Sequence, residues 1–173
     1  LSVAVSFFMF GYLLLDKFKP IKFELFEWYP SPQIIFEFYL DGLSGVMMIL
    51  ISGLSLVIQL FSTSYMSKDE KYTKYFEYFN FFVFSMLLLV LSGNFLVMFF
   101  GWELVGLSSY LLISFWYEKN SAAKAGNKAF ILNRIGDFGF LIGLMMILNH
   151  FQTFNFIAIF NSSLVSQPKN LDL

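Results

Sequence analysis

The stretch that decides the fold is NFLVMFFGWELVGLSSYLLISFWY, Asn94 to Tyr117, an apolar run with Glu103 near its middle. A membrane-spanning helix needs about 20 mostly apolar residues, and this run is long enough to cross a bilayer. A carboxylate near the centre of such a span costs on the order of 2.5–3.5 kcal/mol unless it is shielded or protonated. The sequence therefore predicts that Glu103 faces protein or water and is kept away from lipid.

The composition of the whole chain is that of a membrane protein. Of its 173 residues, 58% are hydrophobic, 21% are aromatic and only 13% are charged, which is not seen in ordinary water-soluble domains. The formal net charge of −1 predicts no nucleic-acid partner. The chain has no cysteine and a single histidine, His150, so it offers no thiolate for an iron–sulfur cluster or a structural zinc ion. We expect no cofactor and no metal on this chain.

Hydropathy along the chain predicts an all-α membrane protein, a bundle of about five transmembrane helices. The apolar segments fall at about 1–15, 43–62, 79–93, 94–117 and 125–149. The second, fourth and fifth are long enough to span a bilayer, whereas the first is short. The third and fourth form one run that is too long for a single span, and Ser92-Gly93-Asn94 is the natural place for a turn between two antiparallel helices.

Four parts are predicted along the chain: a short or partial transmembrane helix at 1–15, a surface loop at 16–39, a four-helix transmembrane part at 40–150 and a polar tail at 151–173. In the loop, IKFELFEW and IIFEFY alternate and are separated by Pro30-Ser31-Pro32, which favours a short β-hairpin. An irregular loop is the alternative. The tail is expected to be solvent-exposed. Because the chain begins with Leu1 inside an apolar stretch, we expect upstream residues to be missing or to lie elsewhere.

Glu103 is the first candidate for chemistry. With 100° between successive residues of a helix, Gly106, Tyr110 and Ser114 fall within about 60° of Glu103 and form a small, hydroxyl-bearing stripe that admits water or a partner side chain. In a low-dielectric setting, moving a nearby cation toward or away from a carboxylate switches its protonation, which is the physical content of a proton relay. The alternative is a protonated, structural glutamate that hydrogen-bonds a neighbouring helix.

The second candidate is the charged series Lys124, Lys128, Arg134 and Asp137, which enters the last apolar segment. Arg134 and Asp137 are three residues apart and can pair on one face of a helix. The alternative reading is a purely structural ion pair. Lys128 projects about 120° away from Arg134 and is expected to reach a different neighbour, while Lys124 is expected to extend to water at the interface.

Accessory positions carry weaker signals. Asp41 precedes a predicted helix, so capping of that helix outweighs a direct role in transport. His150 ends the last apolar segment, where a surface proton donor and a passive histidine are both open readings. A stripe of small residues on the face roughly opposite Arg134 and Asp137 predicts close approach of another helix. It consists of Gly136, Gly139 and Gly143.

Three motifs then occur in a specific order: YLDGLSG, LVLSGNFLVMFFGWELVGLSSYLLISFWY and KAFILNRIGDFGF. Together they closely resemble the antiporter-like family of subunit 5 of mitochondrial NADH:ubiquinone oxidoreductase, the respiratory complex I, from the second to the sixth helix. The resemblance covers about residues 39–149, and GWE-x-VG followed by NRIGD carries it. Related bacterial sodium/proton antiporter subunits share the ancestry. The resemblance implies a bundle that is part of a larger antiporter-like fold.

The resemblance also implies function: a proton-translocating membrane-arm subunit of an NADH:ubiquinone reductase that performs no redox chemistry on this chain. The residues of proton translocation and charge relay are then Glu103, Lys128, Arg134 and Asp137. The family's glutamate is paired with a lysine on the seventh helix, and the positions of Lys128, Arg134 and Asp137 help to shape the charge environment of Glu103. NADH, FMN, iron–sulfur clusters and ubiquinone are expected in other subunits. Accessory roles fall to Asp41, Lys124, Tyr110 and His150.

Partners and location follow from the same resemblance. We expect other complex I membrane-arm subunits, including a chain that supplies the first helix and the seventh and later helices, and phospholipids such as cardiolipin. The expected location is the mitochondrial inner membrane, which the chain crosses several times. Two alternatives stay open: a subunit of a monovalent cation/proton antiporter, and a structural membrane fragment without transport activity.

Overall fold

A computed structural model describes residues 2–15, 19–30 and 33–165. These residues form six helices and one two-stranded antiparallel sheet. In chain order the elements are α1 (Ser2–Leu15), β1 (Ile21–Pro30), β2 (Gln33–Leu40), α2 (Gly42–Tyr65), α3 (Tyr72–Val90), α4 (Phe95–Ile113), α5 (Asn120–Phe151) and α6 (Phe156–Val165).

Three of the described helices are long and apolar enough to cross a membrane: α2, α4 and α5, with mean hydropathies of 2.1, 1.7 and 1.7. They coincide with the second, fourth and fifth predicted segments. By contrast, α1 has 14 residues, fewer than the length of about 20 that a span requires. Helix α3 has 19 residues, and its first half contains Lys74, Glu77 and Asn80 among tyrosines, which lowers its hydropathy.

The predicted β-hairpin is confirmed. Strands β1 and β2 pair antiparallel with Ile21 opposite Leu40 and Glu24 opposite Glu37. The register shifts twice toward the turn, between Glu24 and Phe26 and again between Glu27 and Tyr29, as expected where a β-bulge interrupts the alternation of side chains. The irregular-loop alternative is therefore wrong.

Helix ends lie where polar residues satisfy the free backbone groups. Asp41 caps α2 in a reciprocal box: its Oδ1 accepts from Ser44 N at 2.8 Å, and Ser44 Oγ accepts from Asp41 N at 2.7 Å. Asn94 caps α4 by accepting from Val97 N at 2.8 Å. Since α3 ends at Val90 and α4 begins at Phe95, the predicted turn is confirmed.

Helices α3 and α4 pack backbone to backbone at one glycine. A Cβ built on Gly101 would lie 2.6 Å from Leu89 Cα and 2.7 Å from Leu89 N, so no larger residue fits without moving a helix. Around this contact the core is apolar. One buried cluster joins Ile51 of α2 to Phe79 and Val83 of α3.

The hairpin is fastened to the helical bundle by several hydrogen bonds. Gly93 N donates to Glu37 O at 3.0 Å, and the side-chain amide of Asn94 donates to Ile35 O at 2.7 Å. A Cβ on Gly93 would lie 2.6 Å from Glu37 Cγ, so only glycine permits this approach. The side chain of Asn155, from the α5–α6 connection, donates to Glu37 Oε1 at 2.5 Å.

The segment after α5 departs from the predicted polar tail. Gln152 adopts a left-handed conformation with φ of 55°, which ends α5 and redirects the chain. Asn155 Oδ1 then accepts from Ala158 N at 3.1 Å and caps α6. Phe154 and Ile159 are buried, because this part of the tail has enough apolar side chains to pack. The rest of the tail, 166–173, lies outside the described residues.

Candidate functional site

An ion cluster lies between α4 and α5, inside the segments that are apolar enough to span a membrane. The guanidinium of Arg134 donates to Glu103 Oε2, and its Nη1 also lies 3.5 Å from Asp137 Oδ2. Glu103 and Asp137 have side chains that are 21% and 8% exposed, against 38% for Arg134. Two carboxylates thus share one guanidinium. Their formal charges are two negative and one positive, so one carboxylate has no counter-charge of its own within the cluster.

Asp137 is held by a second donor. Trp102, the residue before Glu103, donates from its indole nitrogen to Asp137 Oδ1 at 2.9 Å. One oxygen of Asp137 is therefore committed to Trp102 and the other faces Arg134. Phe130 completes the surroundings, with its ring centroid 4.6 Å from Arg134 Cζ. Trp102 was not among the predicted site residues, although an indole next to the glutamate of an apolar helix, as in GWE, is a signal for such a donor.

The predicted stripe of Gly106, Tyr110 and Ser114, on the same face of α4 as Glu103, packs against α5. A Cβ on Gly106 would lie 3.7 Å from Asn133 Nδ2, and the ring of Tyr110 lies 5.3 Å from that of Phe130. Farther along, Ser114 packs closely on Gly126 of α5, where a Cβ would lie 2.8 Å from Ser114 Cβ. The stripe is thus a helix-packing surface, and it lies on the face of α4 from which Glu103 reaches Arg134.

In addition to Tyr110, four candidate residues lie outside the ion cluster. Lys124 and Lys128 are exposed on the first turns of α5, and Lys128 forms no ion pair with any residue that the structure describes. Asp41 caps α2, as predicted. His150 is exposed near the end of α5, with its ring 4.7 Å from that of Phe151.

The glycine stripe of α5 is open. Cβ atoms built on Gly136 and Gly139 meet no heavy atom within 4 Å, and large apolar side chains nearby, such as Ile135, Phe138 and Ile142, are exposed. No helix among the described residues covers this face. Its small-residue pattern remains suited to a closely packed neighbour.

Two models of known protein families match this chain. A family model described as "NADH-Ubiquinone oxidoreductase (complex I), chain 5 N-terminus" matches residues 28–76, and one described as "NADH:quinone oxidoreductase/Mrp antiporter, TM" matches 92–171. The chain belongs to the antiporter-like chain 5 family of NADH:quinone oxidoreductase. Glu103, Arg134, Asp137 and Trp102 all fall within the second match.

Members of the chain 5 family from different organisms are similar over most of this chain. NADH-quinone oxidoreductase subunit L of Mycobacterium tuberculosis (strain ATCC 25618 / H37Rv) is 42% identical over 144 residues, covering 82% of this chain and 23% of the relative. NADH-ubiquinone oxidoreductase chain 5 of Acanthamoeba castellanii is 46% identical over 134 residues, covering 76% and 20%. The chain spans about a fifth of the length of these relatives.

The fold of this chain 5 family member also matches a solved structure. A chain of the membrane-bound sulfane sulfur reductase, an archaeal respiratory membrane complex, superimposes with a TM-score of 0.61 at 22% identity, covering 93% of this chain and 26% of that one. This likeness shows that the two chains share a fold.

Proposed function

We propose that this chain is part of a proton-translocating membrane-arm subunit of NADH:quinone oxidoreductase and that Glu103 takes up and releases the proton. The observation that supports this most is the position of Arg134, which is within reach of Glu103 and Asp137 between two membrane-spanning helices. A structural pair needs one carboxylate for one guanidinium. The second carboxylate makes the arrangement suited to exchange.

The exchange follows from electrostatics. While Arg134 pairs with Glu103, the guanidinium stabilises the ionised carboxylate, and Glu103 holds no proton. When Arg134 turns toward Asp137, Glu103 loses its counter-charge in a low-dielectric setting, and binding a proton becomes the favourable way to neutralise it. The return of Arg134 expels the proton. Asp137 acts here as the alternative anion, and Trp102 holds it in place.

The driving force comes from outside this chain. Quinone reduction elsewhere in the complex shifts charge along the membrane arm, and that shift biases Arg134 toward one of its two acceptors. NADH, FMN, iron–sulfur clusters and ubiquinone belong to other subunits, and the family's seventh-helix lysine comes from a part of the subunit beyond this chain. Lys128, exposed on α5, is a candidate to exchange protons with such a neighbour, and Lys124, Tyr110 and His150 are accessory candidates.

The proposed location is the mitochondrial inner membrane, where phospholipids such as cardiolipin are further partners. A content of 25 Phe residues and no Cys supports an organellar source. The family itself is broader, since similar relatives include bacterial and chloroplast proteins.

The test is Glu103→Gln in the assembled complex, reconstituted into sealed vesicles, with proton uptake measured per NADH oxidised. Loss of the titratable group should lower that ratio while NADH oxidation by uncoupled vesicles continues. The matched control is Glu70→Gln, which removes an exposed carboxylate from the loop before α3 and should leave the ratio unchanged. An unaltered ratio in the Glu103 variant would refute the proposal.

A second function is a subunit of a monovalent cation/proton antiporter, and the description of the family model over 92–171 names the Mrp antiporter. The two functions differ in what drives proton movement. Vesicles with the intact assembly should acidify on addition of NADH and should not respond to an imposed sodium or potassium gradient. The opposite pattern would favour the antiporter.

A further inference from the structure

A polar cavity lies away from the ion cluster, at the end of the bundle where α3 and α5 begin and α4 ends. Its volume is about 320 Å³, at the lower end of the range for small-molecule sites. The cavity is enclosed by three helices and by the loop that follows α4. Its polar lining consists of Lys71, Lys74, Tyr78, Tyr110, Ser114, Tyr117 and Asn127.

The lining is positively charged. No acidic side chain is among the residues that line the cavity. Lys71 Nζ contacts Glu118 Oε1 at 2.6 Å, outside the cavity, and lies 4.2 Å from the centroid of the Tyr117 ring. The hydrogen bond to Glu118 raises the pKa of Lys71. Lys71 therefore stays charged. Lys74 has no ion-pair partner among the described residues. The cavity therefore holds one lysine fixed at its rim and a second with its charge uncompensated.

The other polar groups are mainly potential donors. Tyr78 carries a hydroxyl and Asn127 an amide, and both line the same cavity. Ser114 already donates its hydroxyl proton to Tyr110 O at 2.6 Å. Leu111 and Phe115 provide an apolar wall. Ammonium, hydroxyl and amide donors around a positively charged space are suited to an oxyanion with several acceptor oxygens, such as a phosphate.

We propose that this cavity binds a phosphate group, and its position at the end of the spanning helices favours the head group of an anionic phospholipid as the source. Basic pockets between transmembrane helices are a known mode of lipid head-group recognition. The apolar wall of Leu111 and Phe115 suits the start of an acyl chain. The proposal gives the lipid contact of the proposed function a site and rests on the chain spanning a membrane, but it does not depend on proton transport.

The test measures lipid binding to the purified, delipidated assembly by native mass spectrometry during titration with phosphatidylglycerol. Replacing Lys74 with Gln should weaken binding about fivefold, the effect of removing one lysine from a lipid-facing basic site. A Lys71→Gln, Lys74→Gln double variant should weaken it further, and Lys74→Arg should restore it. The matched control is Lys68→Gln, which removes an equal charge from the loop just before α3 and does not line the cavity.

Competition with inorganic phosphate distinguishes the sources. Lysine-dependent binding of phosphatidylglycerol, with weak competition from inorganic phosphate, assigns the site to an anionic lipid. Lysine-dependent binding of inorganic phosphate without lipid binding assigns it to soluble phosphate. Equal binding of phosphatidylglycerol to the wild-type, Lys74 and Lys68 forms, with no effect of inorganic phosphate, overturns the proposal. Because no turnover is measured, this failure is distinct from a failure of Glu103 to carry protons.

Discussion

The indole nitrogen of Trp102 on α4 donates a hydrogen bond of 2.9 Å to Asp137 on α5. This bond fixes the carboxylate that competes with Glu103 for Arg134. The balance between the two acceptors of the guanidinium therefore depends on a residue that is itself uncharged. The consequence is testable without altering any of the three ionisable groups.

Replacing Trp102 with Phe should reduce proton transport. Removal of the donor leaves a buried carboxylate with one fewer hydrogen bond, a loss of about 1.5–3 kcal/mol for a charged acceptor, so Asp137 should hold Arg134 more tightly. We expect fewer protons taken up per NADH oxidised in vesicles. Trp28→Phe, on the exposed hairpin, is the control and should behave as wild type. Identical ratios for both variants would exclude a positioning role for Trp102.

Replacing Gly101 with Ala should destabilise the bundle. The new Cβ would lie 2.6 Å from Leu89 Cα, and overpacking of this kind costs about 1–3 kcal/mol. The thermal unfolding midpoint of the assembled complex should fall. Gly53→Ala, where a Cβ meets nothing within 4 Å, should leave the midpoint unchanged or raise it, since alanine favours helix. Equal midpoints would show that α3 and α4 adjust freely.

Replacing Lys22 with Met should loosen the hairpin. Lys22 Nζ lies 2.8 Å from Oε2 of Glu37, which is 1% exposed, and an unpaired buried charge costs about 1–3 kcal/mol or more. Amide hydrogen exchange over 21–40 should become faster. Lys19→Met, an exposed lysine two residues before the strand, is the control. If hairpin exchange is unaffected by both changes, Glu37 does not depend on Lys22.

The loop between α2 and α3 should respond to acid through Asp69. A hydrogen bond from Trp116 Nε1 and one from Lys71 N lower the pKa of Asp69 below its ordinary value of 3.8. Stability from the ionised group is present above about pH 3.8 and is lost as pH falls through the lower folded value. Asp69→Asn should therefore lower the unfolding midpoint at neutral pH, and the difference from wild type should close in acid.

The neighbouring Glu70→Gln serves as the control for this pH dependence because Glu70 is exposed on the same loop. It should show no such closing difference. A gap between wild type and Asp69→Asn that persists unchanged at low pH would contradict the assigned role of the ionised carboxylate.

Features that depend on residues close together in the sequence could be predicted from it. The alternation of β1, the cap at Asp41 and the pairing of Arg134 with Asp137 depend on residues a few positions apart, and all three appear in the structure. The residues that share a helix face with Glu103 could be predicted for the same reason. The identity of its partner was not, because Arg134 is 31 positions away and several basic residues of α5 were equally plausible from spacing alone.

Long-range polar contacts account for most of what the sequence did not reveal. Asn155 bonds to Glu37 across 118 positions, and no local pattern marks either residue as a partner of the other. The same contact stabilises the segment around α6, which was predicted to be an exposed tail. A local signal was present there, because Asn155 precedes an apolar stretch as a helix cap does.

Hydrogen bonds hold the chain at both ends of helices α4 and α5. Trp116 Nε1 donates to Asp69 and Lys71 Nζ donates to Glu118 at one end, and Phe95 N donates to Phe154 O at 3.0 Å at the other. Transfer of Arg134 from one acceptor to the other then needs only torsional rotation within a single side chain. Such rotations take picoseconds to nanoseconds in accessible side chains, far less than an enzymatic cycle. In the proposed function, the pace of transport would therefore be set by the electric field that distinguishes Glu103 from Asp137, and the rotation of the Arg134 side chain would impose no ceiling on it.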